Sequence, residues 1–347
     1  MPTRTGGAPR WPTDHSLFDD GSGIVTNRGP SSRLVRSVFL MFLVVPTLWT
    51  VGRWTEPPIG VDAVSAVTPG HVSVVGARML PETFDAAAAD SLVRRAMYFS
   101  GGVHKAFDGD TRWVLIRAAH DVAPAARASH LLILEATLLA IRNAAAEADL
   151  ALLVGKLDGG DDTWHTQIAQ QLQGPRLASI GVELLLVSEE ETEAINVPDS
   201  GMAADFYDLP LALLECDAAI NIAHAGTPLA ALKNLSGLAR PTSQTTDADA
   251  VLVDQALLAE VSYTLSHLQV PGGQQMILAS RDGVAIDRVA AQVTGAASDS
   301  ASLAALHLAH TRFLGQSDLA DIKVSGADVP GTWVAPKEDN PEENETE

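Results

Sequence analysis

The sequence predicts an α/β domain, a mostly parallel sheet with helices on both faces, preceded by one N-terminal transmembrane helix. Three observations carry that expectation. An uncharged apolar run lies near the N-terminus, between Arg36 and Arg53. Behind it, short continuous apolar runs alternate with helix-length segments. Those runs lack polar alternation, as expected of strands covered on both faces.

Residues 1–33 are rich in Gly, Pro, Ser, Thr and Arg and carry little apolar periodicity, which reads as a tail unable to offset its own ordering entropy. Residues 34–53 then form the anchor. About eighteen residues of helix span about 27 Å, and snorkelling arginines supply the remaining depth. Trp49 and Trp54 suit the membrane interface, with Arg36 and Arg53 at its borders. Pro46 is tolerated in lipid where neighbouring groups satisfy the freed carbonyl. The competing reading is a cleaved signal peptide with a cleavage site at Val64-Ser65-Ala66. That site lies too far beyond the apolar run for the usual short polar region.

Arg4, Arg10, Arg28, Arg33 and Arg36 precede the segment and only Arg53 closely follows it. The positive-inside bias therefore places the N-terminus in the cytoplasm and the domain on the far side of an inner membrane, in a bacterium the periplasm. Residues 54–70 hold three prolines and two glycines and read as a linker.

The domain is expected over 71–330, about 260 residues and enough for one full core. Strands are predicted at 72–75, 113–116, 151–154, 183–187, 218–222, 276–279 and 322–324. The clearest helix is 128–148, where Leu131, Leu134, Leu138 and Ile141 share one face. Further helices are predicted at 84–98, 249–267, 284–293 and 303–313. Residues 331–347 form an acidic tail, whose last eleven positions hold six acidic groups and one lysine.

The net charge of −20 is concentrated beyond the anchor, so nucleic acid is not an expected partner; the lipid bilayer and other membrane subunits are. The single cysteine, Cys216, excludes an internal disulfide and a multi-thiolate cluster within this chain. No phosphate-binding loop, nucleophile elbow or His-Glu-x-x-His motif is present, and no cofactor or metal is expected.

The stretch 216–238 (CDAAINIAHAGTPLAALKNLSGL) is the most distinctive: a buried strand runs into a His-x-x-Thr turn and then a helix carrying Lys-Asn. It resembles the hallmark of domain-of-unknown-function family 362, often labelled uncharacterised iron-sulfur-centre proteins. Asp217, Asn221, His224, Thr227, Leu232, Lys233, Asn234 and Gly237 match that pattern. A second segment, 277–295 (ILASRDGVAIDRVAAQVTG), is similar to the family's apolar strand and Val-Ala-x-Asp helix, with Asp282 and Asp287 in place. The resemblance extends more weakly over about residues 72–326. It implies a ligand site made from His224, Thr227, Lys233, Asn234, Asp282 and Asp287.

The departures are equally specific. Ile222 stands where the family has a lysine, the cysteine array is absent, and the loop before the second motif is replaced by an apolar segment at 253–273. These losses imply a domain that kept its core and shed its chemistry.

Each candidate also has a plain structural reading: Thr227 and Asp282 as helix caps, Lys233 solvated, His224 packed at a strand end. Asp158, Asp161, Asp162 and His165 lack the spacing of a calcium loop and read as a solvated turn with a cap. His307 and His310 share a helix face without an evident third ligand. The expected function is therefore a non-catalytic accessory or scaffold subunit of a membrane complex, respiratory or photosynthetic. The alternatives are an enzyme or redox protein binding a metal or small anion near His224, and an anchored solute-binding module.

Overall fold

A computed structural model describes residues 70–78, 83–159, 161–197, 201–225, 229–270, 274–296 and 300–326. The expected anchor, with Arg36, Trp49, Arg53 and Trp54, lies outside the described residues. So do the tails, all of the linker except Gly70, and Thr227.

The main sheet has eight strands: β1 (His71–Arg78), β2 (Trp113–Arg117), β3 (Asp149–Val154), β4 (Val182–Leu186), β7 (Ala218–His224), β9 (Val261–Val270), β10 (Gln274–Ser280) and β11 (Lys323–Ser325). Their spatial order is β11-β1-β10-β9-β7-β2-β3-β4. The pairings make seven of them run one way, with β10 alone reversed between β1 and β9. A small antiparallel sheet is formed by β5 (Thr192–Asn196), β6 (Phe206–Pro210) and β8 (Arg240–Pro241).

Helices cover both faces of the main sheet. On one face lie α1 (Ala86–Phe99), α2 (Arg127–Ala144) and α3 (Asp162–Leu172). They pack with Val114, Ile116, Leu152, Ile220, Ile222 and Leu265. After the short α4 (Leu211–Glu215), the other face carries α5 (Ala230–Leu235), α6 (Ala248–Ala259), α7 (Gly283–Thr294) and α8 (Ser300–Thr311). Leu115, Leu153 and Ala219 point to that side. Alternate residues of each strand thus serve opposite cores, which is why the strands read as unbroken apolar runs.

Among the described residues one helical segment, Pro124–Ala144, is long and apolar enough to cross a membrane, and half of it is buried inside the domain. It contains α2, whose Ile133, Leu134, Leu138 and Ile141 are fully buried. Its apolar character is that of a core helix with the sheet as its partner.

All seven expected strands are present. The helix expected over 249–267 is corrected: α6 ends at Ala259, Glu260 adopts a left-handed conformation with φ 44°, and the chain leaves as β9. A positive φ at a non-glycine residue stops the helix. Beyond it, Val261, Tyr263 and Leu265 alternate with Ser262, Thr264 and Ser266, a period of two that the apolar content of the preceding helix hides. The turn expected around Asp158–Asp162 opens α3, with Asp161 as its N-cap accepting from Trp164 N–H at 3.1 Å.

Candidate functional site

Chain order turns around between β2 and β7. From β2 the chain proceeds to β3 and β4 on one side, then returns to place β7 on the other. In a doubly wound sheet the carboxyl ends of two such strands flank the usual ligand crevice, because the following connections diverge to opposite faces. Here those ends carry Arg117 on β2 and His224 on β7. Strand alternation sends the two side chains to opposite faces.

On the α2 face, His224 continues the row of Ile220 and Ile222, and its strand partner in register is His267 on β9. His130 comes down from the first turn of α2 to complete a cluster of three imidazoles. Ring centroids are 5.4 Å apart for His130–His224 and His224–His267, and 5.5 Å for His130–His267. The fully buried Trp164 of α3 closes the side of the cluster, with its ring 6.0 Å from His130 and its indole N–H donating to the Ala119 carbonyl at 2.8 Å.

The proton positions follow from partners. His267 Nε2 lies 2.7 Å from Gln275 Oε1, so this nitrogen donates and Nδ1 is left as an acceptor. His130 Nδ1, 3.3 Å from His267 Nδ1, is then the donor of that pair. Among the described residues, His130 Nε2 and both nitrogens of His224 are buried without a hydrogen-bond partner. Burial, reinforced by His224, pulls the His267 pKa down to about 3; burial also lowers His130 and His224. All three rings are therefore neutral at pH 7. Among the described residues no three or more His, Cys, Asp or Glu side chains are arranged to hold a metal ion.

On the opposite face a polar lattice ties β2, β7, α5 and α7 together. Asn234 Nδ2 donates to Asn221 Oδ1 at 2.7 Å and to the Ile222 carbonyl at 3.2 Å, while Asn221 Nδ2 donates to the Ala231 carbonyl at 2.9 Å. The N-cap residue of α5, Leu229, stands at φ 66° without a side-chain hydrogen bond. Asp287 of α7 takes over that function, accepting from Ala231 N–H at 2.7 Å and Leu232 N–H at 2.9 Å. Burial raises the Asp287 pKa to about 7, against the lowering effect of those two N–H donors.

Asp282 caps α7, accepting from Ala285 N–H at 2.8 Å, and its other oxygen accepts from Gln316 N–H at 2.9 Å. Its pKa is raised by burial. Lys233 is exposed on α5, at the lip of a cleft of about 620 Å³ that Ser236, Thr245 and Asp249 also line.

The expected site residues thus divide. Asn234 and Asp287 meet in one lattice, Asp282 caps the same helix α7, and Lys233 faces solvent. His224 lies across the sheet from them. His130, His267, Arg117 and His120 are functional candidates that sequence reasoning missed. The available signal for His130 was a polar residue in register with Leu134 and Ile141 on an apolar stripe; for Arg117, a cation ending the apolar run 113–116.

No protein family matches this chain, and no curated protein does. Among solved structures it is similar to the lactate racemase apoprotein from Thermoanaerobacterium thermosaccharolyticum, at 14% identity and a TM-score of 0.40, over 65% of this chain and 55% of that one. The chain therefore spans little more than half the length of that protein.

Proposed function

We propose that this chain is a membrane-anchored, non-catalytic accessory subunit of a membrane protein complex, with its α/β domain serving as a structural body. One observation supports this reading above others. Asn234, Asp282 and Asp287, which the resemblance to domain-of-unknown-function family 362 would assign to a ligand, spend their polar atoms on the fold itself, as bridge, cap and tertiary cap. Together with Ile222 in place of the family's lysine, this describes a binding architecture in which these three positions have become framework. The apolar segment 34–53, with Arg36 and Arg53 at its ends, supplies the single-pass anchor, and the arginine asymmetry orients the domain outward. Affinity purification of the full chain in a mild detergent is expected to bring down stoichiometric membrane partners.

A second reading, ligand binding beside His224 by an enzyme, redox protein or solute-binding module, is favoured by a different observation. Buried polar atoms almost always have partners, and the two nitrogens of His224 have none among the described residues. Metal analysis of the purified chain and melting curves across a panel of small anions test it. A ligand present at a hundred times its dissociation constant adds about 2.7 kcal/mol of stability. A shift that His224→Gln abolishes would favour this reading over the structural one.

A further inference from the structure

We infer that the carboxyl edge of the sheet holds a binding site for a small oxyanion of phosphate size, built on Arg117, on the face opposite the histidine cluster. This goes beyond the accessory-subunit reading and stands on separate residues. Arg117 ends β2 and is only 3% exposed, yet no carboxylate among the described residues pairs with it. Its guanidinium meets three neutral acceptors: the Asn234 carbonyl at 3.0 Å, the Leu153 carbonyl at 3.5 Å and His120 Nδ1 at 3.1 Å. Five N–H groups are available, so these contacts leave two for a further acceptor. Arg127, Arg176 and Arg240, all more exposed, each have an acidic partner. A buried cation without a counter-charge is costly, and a bound anion offsets that cost.

The surroundings fit the same ligand. Because an arginine only donates, His120 Nδ1 is the acceptor in its contact with Arg117, and the same ring also meets Asn234. His120 is partly exposed and its backbone N–H is fixed by Asn234 Oδ1 at 3.2 Å. Lys156 follows β3, whose Leu153 is the register partner of Arg117, so its stem leaves the same carboxyl edge of the sheet. Lys156 lies over Gly237, where an added Cβ would come within 2.7 Å of the lysine Cγ, so the stem is held close to the α5 connection. The neighbouring carboxylate, Asp121, is exposed and acts on His224. The buried guanidinium at the switch-point edge, with the His120 ring and the Lys156 stem beside it, is the kind of donor group that recognises an oxyanion.

The test is the melting temperature of the full chain in detergent, titrated with inorganic phosphate against sodium chloride of equal ionic strength. Phosphate is expected to raise it saturably where chloride does not. Lys156→Gln and His120→Gln, at partly exposed positions that leave the core intact, are expected to weaken the half-saturating concentration about tenfold each, the loss of one charge-assisted or polar contact. Arg117→Gln should abolish the response if it folds, and the other two variants decide the matter if it does not. Equal melting in phosphate and chloride overturns the inference. So does a phosphate response that both lysine and histidine variants retain unchanged, or one that His224→Gln removes while they keep it.

Discussion

Replacing Asp287 by alanine isolates the claim that this carboxylate is structural. In the native chain its two oxygens take the N–H groups of Ala231 and Leu232, at 2.7 and 2.9 Å, and the side chain is fully buried. Alanine leaves both donors buried with no acceptor. Each orphaned donor costs about 1–3 kcal/mol, so the loss should be roughly 4 kcal/mol. Asp287→Asn keeps the shape and one acceptor oxygen but turns an amide N–H₂ toward a donor, and should recover about half of that loss.

Urea unfolding of the purified chain, followed by tryptophan fluorescence, measures both variants; the fully buried Trp164 reports on the same domain. The pH dependence provides a second check. The folded pKa of Asp287 is raised to about 7, above its unfolded value, so its linkage contribution is full at low pH and is lost as pH rises through about 7. The wild-type advantage over the alanine variant should therefore shrink between about pH 4 and pH 7. A loss below about 1 kcal/mol at every pH would refute the tertiary-cap account and return Asp287 to the pool of ligand-binding residues.

The histidine cluster should behave oppositely. His267 has a folded pKa lowered to about 3 against about 6.5 unfolded, so its neutral burial contributes stability above pH 6.5 that is lost as pH falls. The advantage of wild type over His267→Gln should decline by about 1.4 kcal/mol per pH unit below about 6.5, and urea unfolding at several pH values reads this; a constant difference contradicts it. Because Asp287 and His267 act with opposite signs, the wild-type pH profile alone cannot separate them, whereas the two variants can. Phe313 stands at φ 61° just after α8 and the residue is 61% exposed, so Phe313→Gly should raise stability by about 1 kcal/mol in thermal unfolding; a decrease would show that the ring contributes more than the strain costs. A cysteine placed in the acidic tail, Asn344→Cys, should react with a membrane-impermeant thiol reagent while the inner membrane is intact. Reaction only after that membrane is broken would reverse the orientation.

Much of the fold is written in local patterns. Buried strands flanked by turn residues gave all seven expected strands of the main sheet, and the leucine stripe of α2 marked the helix that covers them. Strand β9 was hidden because its period-two alternation follows the apolar helix 248–259 without a glycine or proline between them, and the break depends on one left-handed residue, Glu260, which no composition signal marks. The reversal of β10 is a matter of register with β1 and β9, set by tertiary pairing. The site was legible only where side chains act locally. Asp282 capping its own helix follows from Asp-Gly before an apolar period, whereas Asp287 capping α5 joins residues 55 and 56 positions apart. His130 and His267 are 137 positions apart and meet only because α2 crosses the ends of β7 and β9. Arg117 is conspicuous only once its burial, and the lack of a carboxylate partner among the described residues, are known.

The measurement that bears most directly on the accessory-subunit account is the protein mass of the particle that contains this chain after mild solubilisation, determined by light scattering with the detergent contribution subtracted. The account predicts a defined mass well above the 36.5 kDa of the chain, made up by stoichiometric membrane partners. A particle containing a single 36.5 kDa chain in every mild detergent tried would contradict it.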